Sequence, residues 1–340
     1  GVASSYPPVA GIPKLKEEIS RFISLFLDIA VDPAGCVPTT GSINGSYAAF
    51  MVGGRARRER NALLFLDPGF PVHKQQARMV GLEPRSFDVY NYRGKALENR
   101  LDEALSDGQV AALLYSNPNN PSWICFTEEE LEIVARVADR HDVIVIEDLA
   151  YFAMDFRQNL GSPGEPPFQP TVGKYTESFI LLVSSSKAFS YAGQRIGMLC
   201  VSDALMNRRF PDLLRFYHND QFGEALILGT LYATTAGVTH SAQHGLAALL
   251  SAVNEGEHDF LSVVSRYGER AKRMKDAFIQ NGFQIVYDTD IDRPIADGFY
   301  FTISYPGMTG EELIRELLYY GVSAISLRQT GSDRTEGIRA

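Results

Sequence analysis

The chain has 340 residues, 45% hydrophobic and 21% charged, and 32 Lys and Arg against 41 Asp and Glu leave a net charge of −9. That length suits a large domain joined to a smaller one, and the apolar share is ample for buried cores. The acidic balance, with no long basic run to offset it, argues against a nucleic-acid-binding surface. No apolar run reaches transmembrane length and the amino end has no signal-peptide pattern, so a cytoplasmic, membrane-free protein is expected. Cys36, Cys125 and Cys200 are scattered without metal-ligand spacing, so neither a disulfide framework nor a metal site is expected.

In chain order, Tyr6-Pro-Pro-Val-Ala-Gly-Ile-Pro13 reads as a proline-rich lead-in loop. From Pro13 to Ala30, apolar residues at Leu15, Ile19, Phe22, Ile23, Phe26 and Leu27 make a helical stripe. Next, Val37-Pro-Thr-Thr40-Gly41-Ser42-Ile-Asn-Gly-Ser46 brings glycine and hydroxyls to the start of a helix. Free backbone N–H groups and the helix dipole suit an anion there, although N-capping explains the same residues. The stretch has neither the Gly-x-Gly-x-x-Gly of a dinucleotide fold nor the Gly-Lys-Ser/Thr of a P-loop. The basic cluster Arg55–Arg60 reads as a solvated connection into a strand Leu63–Leu66, which ends in Asp67-Pro-Gly-Phe70-Pro-Val-His73.

Val110–Tyr115 reads as a buried strand closed by Ser116-Asn-Pro-Asn-Asn120-Pro121, whose prolines and asparagines enforce a turn. Thr127-Glu-Glu-Glu130 has the capping-box pattern of a helix that ends near His141. Val143–Ile146 is a further buried strand, running into Glu147-Asp148-Leu-Ala-Tyr151, and Gly161–Pro170 is a surface loop. The stretch Phe179–Val183 is short, apolar and branched, as a buried strand should be. Beyond Arg195, Phe222–Leu250 reads as helical and Phe260–Asn281 as one long helix. Strand-like Phe283–Tyr287, Gly298–Ile303 and Val322–Leu327, with a helix Gly310–Tyr320, complete an α+β pattern.

The chain is organised around the residues beyond Val183: Ser184-Ser-Ser186, a lone Lys187, and Arg195 eight positions later. Open α/β sheets place ligands at the carboxyl ends of their strands. Hydroxyls and an arginine fork suit a phosphate. A lysine in partly desolvated, cation-neighboured surroundings can form a Schiff base with an aldehyde cofactor. Ser184-x-x-Lys187 followed by Arg195-Ile-Gly resembles the Schiff-base segment of the class I/II aminotransferases, fold type I enzymes that use pyridoxal 5'-phosphate. Matching segments run in that family's order from Tyr6 to Arg339.

The resemblance implies that Lys187 carries the cofactor and that Thr40, Gly41, Ser42, Ser184 and Arg195 hold its phosphate. Phe70 would stack on the pyridine face, with His73 behind the cofactor's aspartate. Asn120, in the Asn-Pro-x-Asn-Pro signature, and Tyr151, in Asp-x-x-Tyr, would flank the phenolic oxygen. Asp148 would face the pyridine nitrogen and keep it protonated, which makes the ring an electron sink. Gly337-Ile338-Arg339 is similar to the family's closing Gly-x-x-Arg or Gly-x-Arg, whose arginine clamps the substrate α-carboxylate. Asn120 and Arg339 would thus meet the substrate, and Lys187, Asp148 and Tyr151 would carry the catalysis. Ser122-Trp123 stands where the family usually has Thr-Gly.

The fold implied is α/β: a large cofactor-binding domain with a mostly parallel seven-stranded sheet between helices, plus a smaller α+β domain. Residues 1–252 would form the first, with 1–36 as its lead-in, and 253–340 the second. The function implied is transfer of an amino group between an amino acid and a 2-keto acid by a ping-pong mechanism in a homodimer with shared active sites, Tyr6 reaching the partner's phosphate. A β-lyase, an amino-acid decarboxylase and a non-catalytic sensing domain stand as alternatives, with a plain nucleotide-binding protein behind them. The chain starts at Gly1 without an initiator methionine and stops at Ala340 with a strand under way, so an N-terminal arm and closing C-terminal elements of a longer protein are also expected.

Overall fold

A computed structural model describes residues 4–340. Helix α1 (Pro13–Leu27) opens the ordered chain, one turn shorter than its apolar stripe suggests because Asp28 takes a left-handed conformation at its end. Next come β1 (Cys36–Thr39), α2 (Ser42–Gly53), β2 (Ala62–Asp67), α3 (Pro71–Met79) and β3 (Glu83–Asp88). After these lie α4 (Lys95–Leu105), β4 (Val110–Ser116), α5 (Glu128–Arg140), β5 (Ile144–Leu149), β6 (Phe179–Ser184) and β7 (Gly197–Val201). The Thr127/Glu130 capping box forms as its sequence predicts, and α5 ends at His141.

The seven strands make one sheet in the order β1-β7-β6-β5-β4-β2-β3. All neighbours from β6 to β3 are parallel, and β7 alone runs antiparallel to both β6 and β1. Parallel strands are covered on both faces, so their sequences are nearly continuous apolar runs. Every residue of β2, β4, β5 and β6 is buried. Side chains alternate across the sheet. Leu64, Leu113, Val145 and Leu181 therefore join one core, to which Phe22 and Phe26 of α1 belong, while Phe65, Leu114, Ile146 and Leu182 join a second core with Phe50 of α2.

Beyond the sheet, the helical region Phe222–Leu250 resolves into an α/π/α run over 222–235 and a helix His240–Asn254. They part at Ala236 and Gly237, both with positive φ. The long helix Phe260–Gln280 leads into a small antiparallel sheet of four short strands: Gln284–Ile285, Thr302–Ser304, Ile325–Ser326 and Ile338–Arg339. A third, smaller core of Ala271, Phe301, Ile303, Leu313 and Ile338 lies beneath it. The small strands are two or three residues long, shorter than their β-rich sequences predict, because loops interrupt the pairing on either side.

Arg55–Arg60 is not simply solvated: Arg57 pairs with Asp142, and the Arg60 guanidinium donates to the carbonyls of Val110, His141 and Asp142 at 2.7–3.0 Å. An arginine's five donors can clasp chain ends that a mere solvated charge would leave open. Cys36 and Cys200, far apart in sequence, are direct cross-strand partners as free thiols. No helix among the described residues is long and apolar enough to cross a membrane.

Candidate active site

Strand register builds the site. Thr39 of β1 and Ser184 of β6 both pair with Gly197, so the turn after β1, the segment after β6 and the approach to β7 converge at one edge. Because β7 is antiparallel, its amino end, carrying Arg195, lies beside the carboxyl ends of the others. Ser116 of β4 pairs with Asp148 of β5, which sets the Asn120 turn next to the Asp148 carboxylate. These ends enclose a cavity of about 320 Å³.

On the anion side, Ser42 opens α2 and lines the cavity with Ser184, Ser186 and Arg195. Gly41 has φ +73°, and a Cβ there would stand 2.7 Å from Arg195 Nη2, so only glycine allows the guanidinium this close to the helix start. Gly197 is equally constrained, since its Cβ would fall 2.7 Å from the Ser42 backbone nitrogen. Thr40 is exposed, and its backbone N–H donates to Asn44 Oδ1 at 3.2 Å instead of lining the cavity.

At the opposite end Asp148 is buried, with Oδ1 accepting from the Ala150 N–H at 3.1 Å and Oδ2 4.0 Å from His73 Nε2. Burial pushes Asp148 up to about 7, against the pull of the Lys187 charge. Burial also lowers His73 to about 4, so it is neutral near pH 7 and leaves the carboxylate without a cationic partner. Phe70 meets His73 edge-on, ring centres 5.5 Å apart. Lys187 is half-buried, its Nζ 6.0 Å from the centre of the Tyr151 ring. Burial, reinforced by the neighbouring Tyr300, raises the Tyr151 hydroxyl well above its usual range and keeps it a donor.

Arg339 reaches in from the last small-sheet strand and donates from Nη1 to Asn120 Oδ1 at 3.3 Å, leaving the Asn120 amide hydrogens to donate elsewhere. Of the residues predicted from sequence, Thr40, Gly41 and Tyr6 are not on the cavity wall: Gly41 lies beside it against Arg195, and Tyr6 is 91% exposed. Sequence reading missed Tyr300, whose ring lies on the Arg339 guanidinium at 4.2 Å, and Ile43 at the cavity mouth. The tandem aromatics after Gly298 were the available signal, read only as a strand.

The donor set fits pyridoxal 5'-phosphate: helix-start N–H groups, two serines and an arginine for a dianion, and across the cavity a buried carboxylate wanting a cation.

A sequence model of the family described as "Aminotransferase class I and II" matches residues 1–337. An S-alkyl-thiohydroximate lyase of Arabidopsis thaliana is 29% identical over 205 residues, 60% of this chain and 42% of that protein. Nicotianamine aminotransferase 1 of Oryza sativa subsp. japonica is 27% identical over 205 residues, 60% of this chain and 39% of its own. The match thus spans about two-fifths of the length of these curated relatives. Among solved structures, an aspartate aminotransferase mutant of Thermus thermophilus superposes with a TM-score of 0.77 at 19% identity, covering 98% of this chain and 82% of that one, a likeness of fold.

Proposed function

The chain belongs to the class I and II aminotransferase family, and from that premise we propose that it moves an amino group between an amino acid and a 2-keto acid with pyridoxal 5'-phosphate as cofactor. The observation that carries this reading is the meeting, in one cavity, of a half-buried lysine, a buried carboxylate, an anion cradle and a terminal arginine from separate strand ends. When bound, the cofactor supplies an electron sink that stabilises a carbanion at the substrate α-carbon.

The protein's residues do the rest. Ser42, Ser184 and Arg195 would hold the phosphate, with Gly41 letting the guanidinium come close, and Thr40 flanks that turn. Asp148 would keep a proton on the ring nitrogen through its negative charge, and neutral His73, 4.0 Å away, borders the carboxylate without competing as a cation. Phe70 bounds one face of the ring site. Tyr151 and Asn120 donate to the phenolic oxygen. Lys187 would hold the cofactor's aldehyde carbon, and its free Nζ is the base that would take and return the substrate α-proton. Arg339 would grip the α-carboxylate and so orient the substrate in the cavity.

We place residues 1–252 in the large domain and 253–340 in the small one, in a homodimer in which exposed Tyr6 reaches the partner's phosphate site; a cytoplasmic location accords with this reading. The lyase among the relatives favours one second reading, elimination from a substrate with a leaving group, on the same residues. The test is an absorbance spectrum with the cofactor, before and after single amino acids, beside Lys187→Ala. A Lys187-dependent band that an amino acid converts to the pyridoxamine form, and a keto acid restores, supports transamination. Release of pyruvate and ammonia with the band retained supports elimination. Absence of a Lys187-dependent band overturns both.

A further inference from the structure

We infer that Trp123 is a positioning residue: its indole braces Tyr151, so that the turn carrying Asn120 also sets the second donor to the cofactor's phenolic oxygen. The inference rests on the aminotransferase reading of the same cavity and deepens it.

The starting observation is strain. Trp123 holds φ +57°, a left-handed conformation that costs a residue with a side chain. Its backbone is tied there from both sides. The Trp123 N–H donates to the Asn119 carbonyl at 2.8 Å, and the Trp123 carbonyl accepts from the Ala296 N–H at 3.0 Å. Asn119 is held in turn, with Nδ2 donating to the Pro68 carbonyl at 2.8 Å and Oδ1 accepting from the Ser122 hydroxyl at 2.6 Å. Backbone strain persists only where the surroundings over-determine it, and such places cluster at functional sites.

What the strained turn achieves is the placement of a ring. The indole is fully buried, and its centre lies 5.0 Å from that of Tyr151 at an interplanar angle of 73°. The other rings against Tyr151 are farther away, Phe299 at 6.1 Å and Tyr300 at 6.3 Å. The indole also lies against Gly298, where an added Cβ would come within 2.2 Å of it, so it has no room to withdraw on that side. Lys187 Nζ is 6.0 Å from the centre of the same Tyr151 ring, which places any movement of Tyr151 beside the point of cofactor attachment. Asn120 belongs to the same turn, its N–H donating to the Ser116 hydroxyl at 3.2 Å. One rigid turn therefore presents Asn120 directly and Tyr151 through the Trp123 ring. Hydrogen bonds weaken steeply when misaligned, so two donors sharing one oxygen both need a fixed support.

The test follows, in cofactor-loaded protein, the pH at which the Lys187-dependent absorbance band changes. A donor to the phenolic oxygen stabilises its negative charge. Without that donor the oxygen stays more negative, favours the protonated form of the neighbouring Lys187 nitrogen and raises the midpoint. Tyr151→Phe should therefore raise it by about one pH unit, and Trp123→Ala by about half a unit or more. The double variant should shift no further than Tyr151→Phe alone, because the ring then has no hydroxyl to place. Trp123→Phe, which keeps an aromatic edge, should recover most of the parent midpoint. Gly298→Ala displaces the indole without deleting it and should raise the midpoint too, which keeps the test open if Trp123→Ala fails to fold. A role in packing alone would lower the melting temperature and leave the midpoint unmoved. That result, or a Trp123→Ala shift that adds in full to that of Tyr151→Phe, would overturn the inference and leave the aminotransferase reading standing. Absence of any Lys187-dependent band would overturn both.

Discussion

The Asp148 carboxyl sits where ionisation is expensive, and that has a consequence for the protein without its cofactor. An aspartate whose folded pKa is raised, here from 3.8 to about 7, binds its proton more tightly folded than unfolded. Its contribution is therefore present in full below pH 4 and is lost as pH climbs toward 7, on the order of 4 kcal/mol for a shift of this size. Glu147, raised to about 7 mainly by burial on the other face of β5, and Asp67, raised to about 6, slope the same way. His73, lowered to about 4, opposes them between pH 6.5 and 4, because the unfolded chain takes the proton first. Cofactor-free protein should melt at lower temperature at pH 7.5 than at pH 5, and Asp148→Asn should flatten part of that slope. A cation supplied at Asp148 by the bound cofactor should flatten it likewise; equal slopes in parent and Asp148→Asn would refute the assignment. Gly41→Ala tests the anion cradle at the same scale. A Cβ at a φ of +73°, 2.7 Å from Arg195 Nη2, costs about 1 kcal/mol of backbone strain and pushes the guanidinium away. Cofactor affinity, titrated by absorbance, should fall about tenfold or more while the melting temperature drops only slightly.

At the scale of elements, much was legible because the inner parallel strands β2, β4, β5 and β6 advertise themselves as apolar runs with a polar residue at or beside the carboxyl end, whereas the edge strand β3, Glu-Pro-Arg-Ser-Phe-Asp, does not. Ser184 and Lys187 stand out that way, whereas Asp148 and Asn120 take their roles from the resemblance to family motifs. The strand register that joins Thr39, Gly197 and Ser184 was not legible, since pairing between strands distant in sequence leaves no local mark. Tyr300 escaped for a similar reason: in sequence it alternates as a strand residue should, and only the fold lays its ring on Arg339. Trp123 was visible as a departure from the family pattern, and its structural cost explains the departure's reach. The residue holds φ +57°, where glycine would be unstrained, and its ring occupies the space that a Cβ on Gly298 would need. The two positions therefore depend on one another. Gly298→Ala should destabilise the fold by about 1–3 kcal/mol through overpacking. In a Trp123→Ala background the same change should be nearly neutral, a non-additivity that denaturation of the four proteins measures directly. The chain holds one Trp, so displacement of the ring in Gly298→Ala should also shift the whole tryptophan emission; additive effects would show that the two sites do not share that space.

At the scale of the whole molecule, Tyr300 and Arg339 reach the cavity because the segment leading to them is moored to the loops that follow β3, β4 and β5. Asp290 does the mooring. It is 1% exposed, accepts from Arg93 Nη1 at 2.7 Å and Arg157 Nη1 at 2.8 Å, and takes the Cys125 N–H at 3.2 Å. Arg93 is held in turn by Glu130, the capping-box residue of α5, and Arg157 by Asp155. A second tie runs from Tyr287 to Asp88 at the end of β3, at 2.8 Å. Both ties lie between the strand Gln284–Ile285 and Tyr300. A buried charge stripped of its partner costs far more than the pair is worth, about 3–5 kcal/mol. Asp290→Ala leaves two partly buried guanidiniums short of one acceptor each while Glu130 and Asp155 still hold them, and should lower stability by less than that, about 1–3 kcal/mol. Its diagnostic effect is local: hydrogen exchange should rise across 286–300 before it rises in β4 or β5, because those strands keep their own pairing. Donor KM should rise as Tyr300 and Arg339 lose their fixed approach, while cofactor affinity, which depends on β1, β5, β6 and β7, should hold. If exchange instead rose uniformly and cofactor affinity fell in step, Asp290 would be supporting the large sheet itself and the site would not be assembled from two separately held halves.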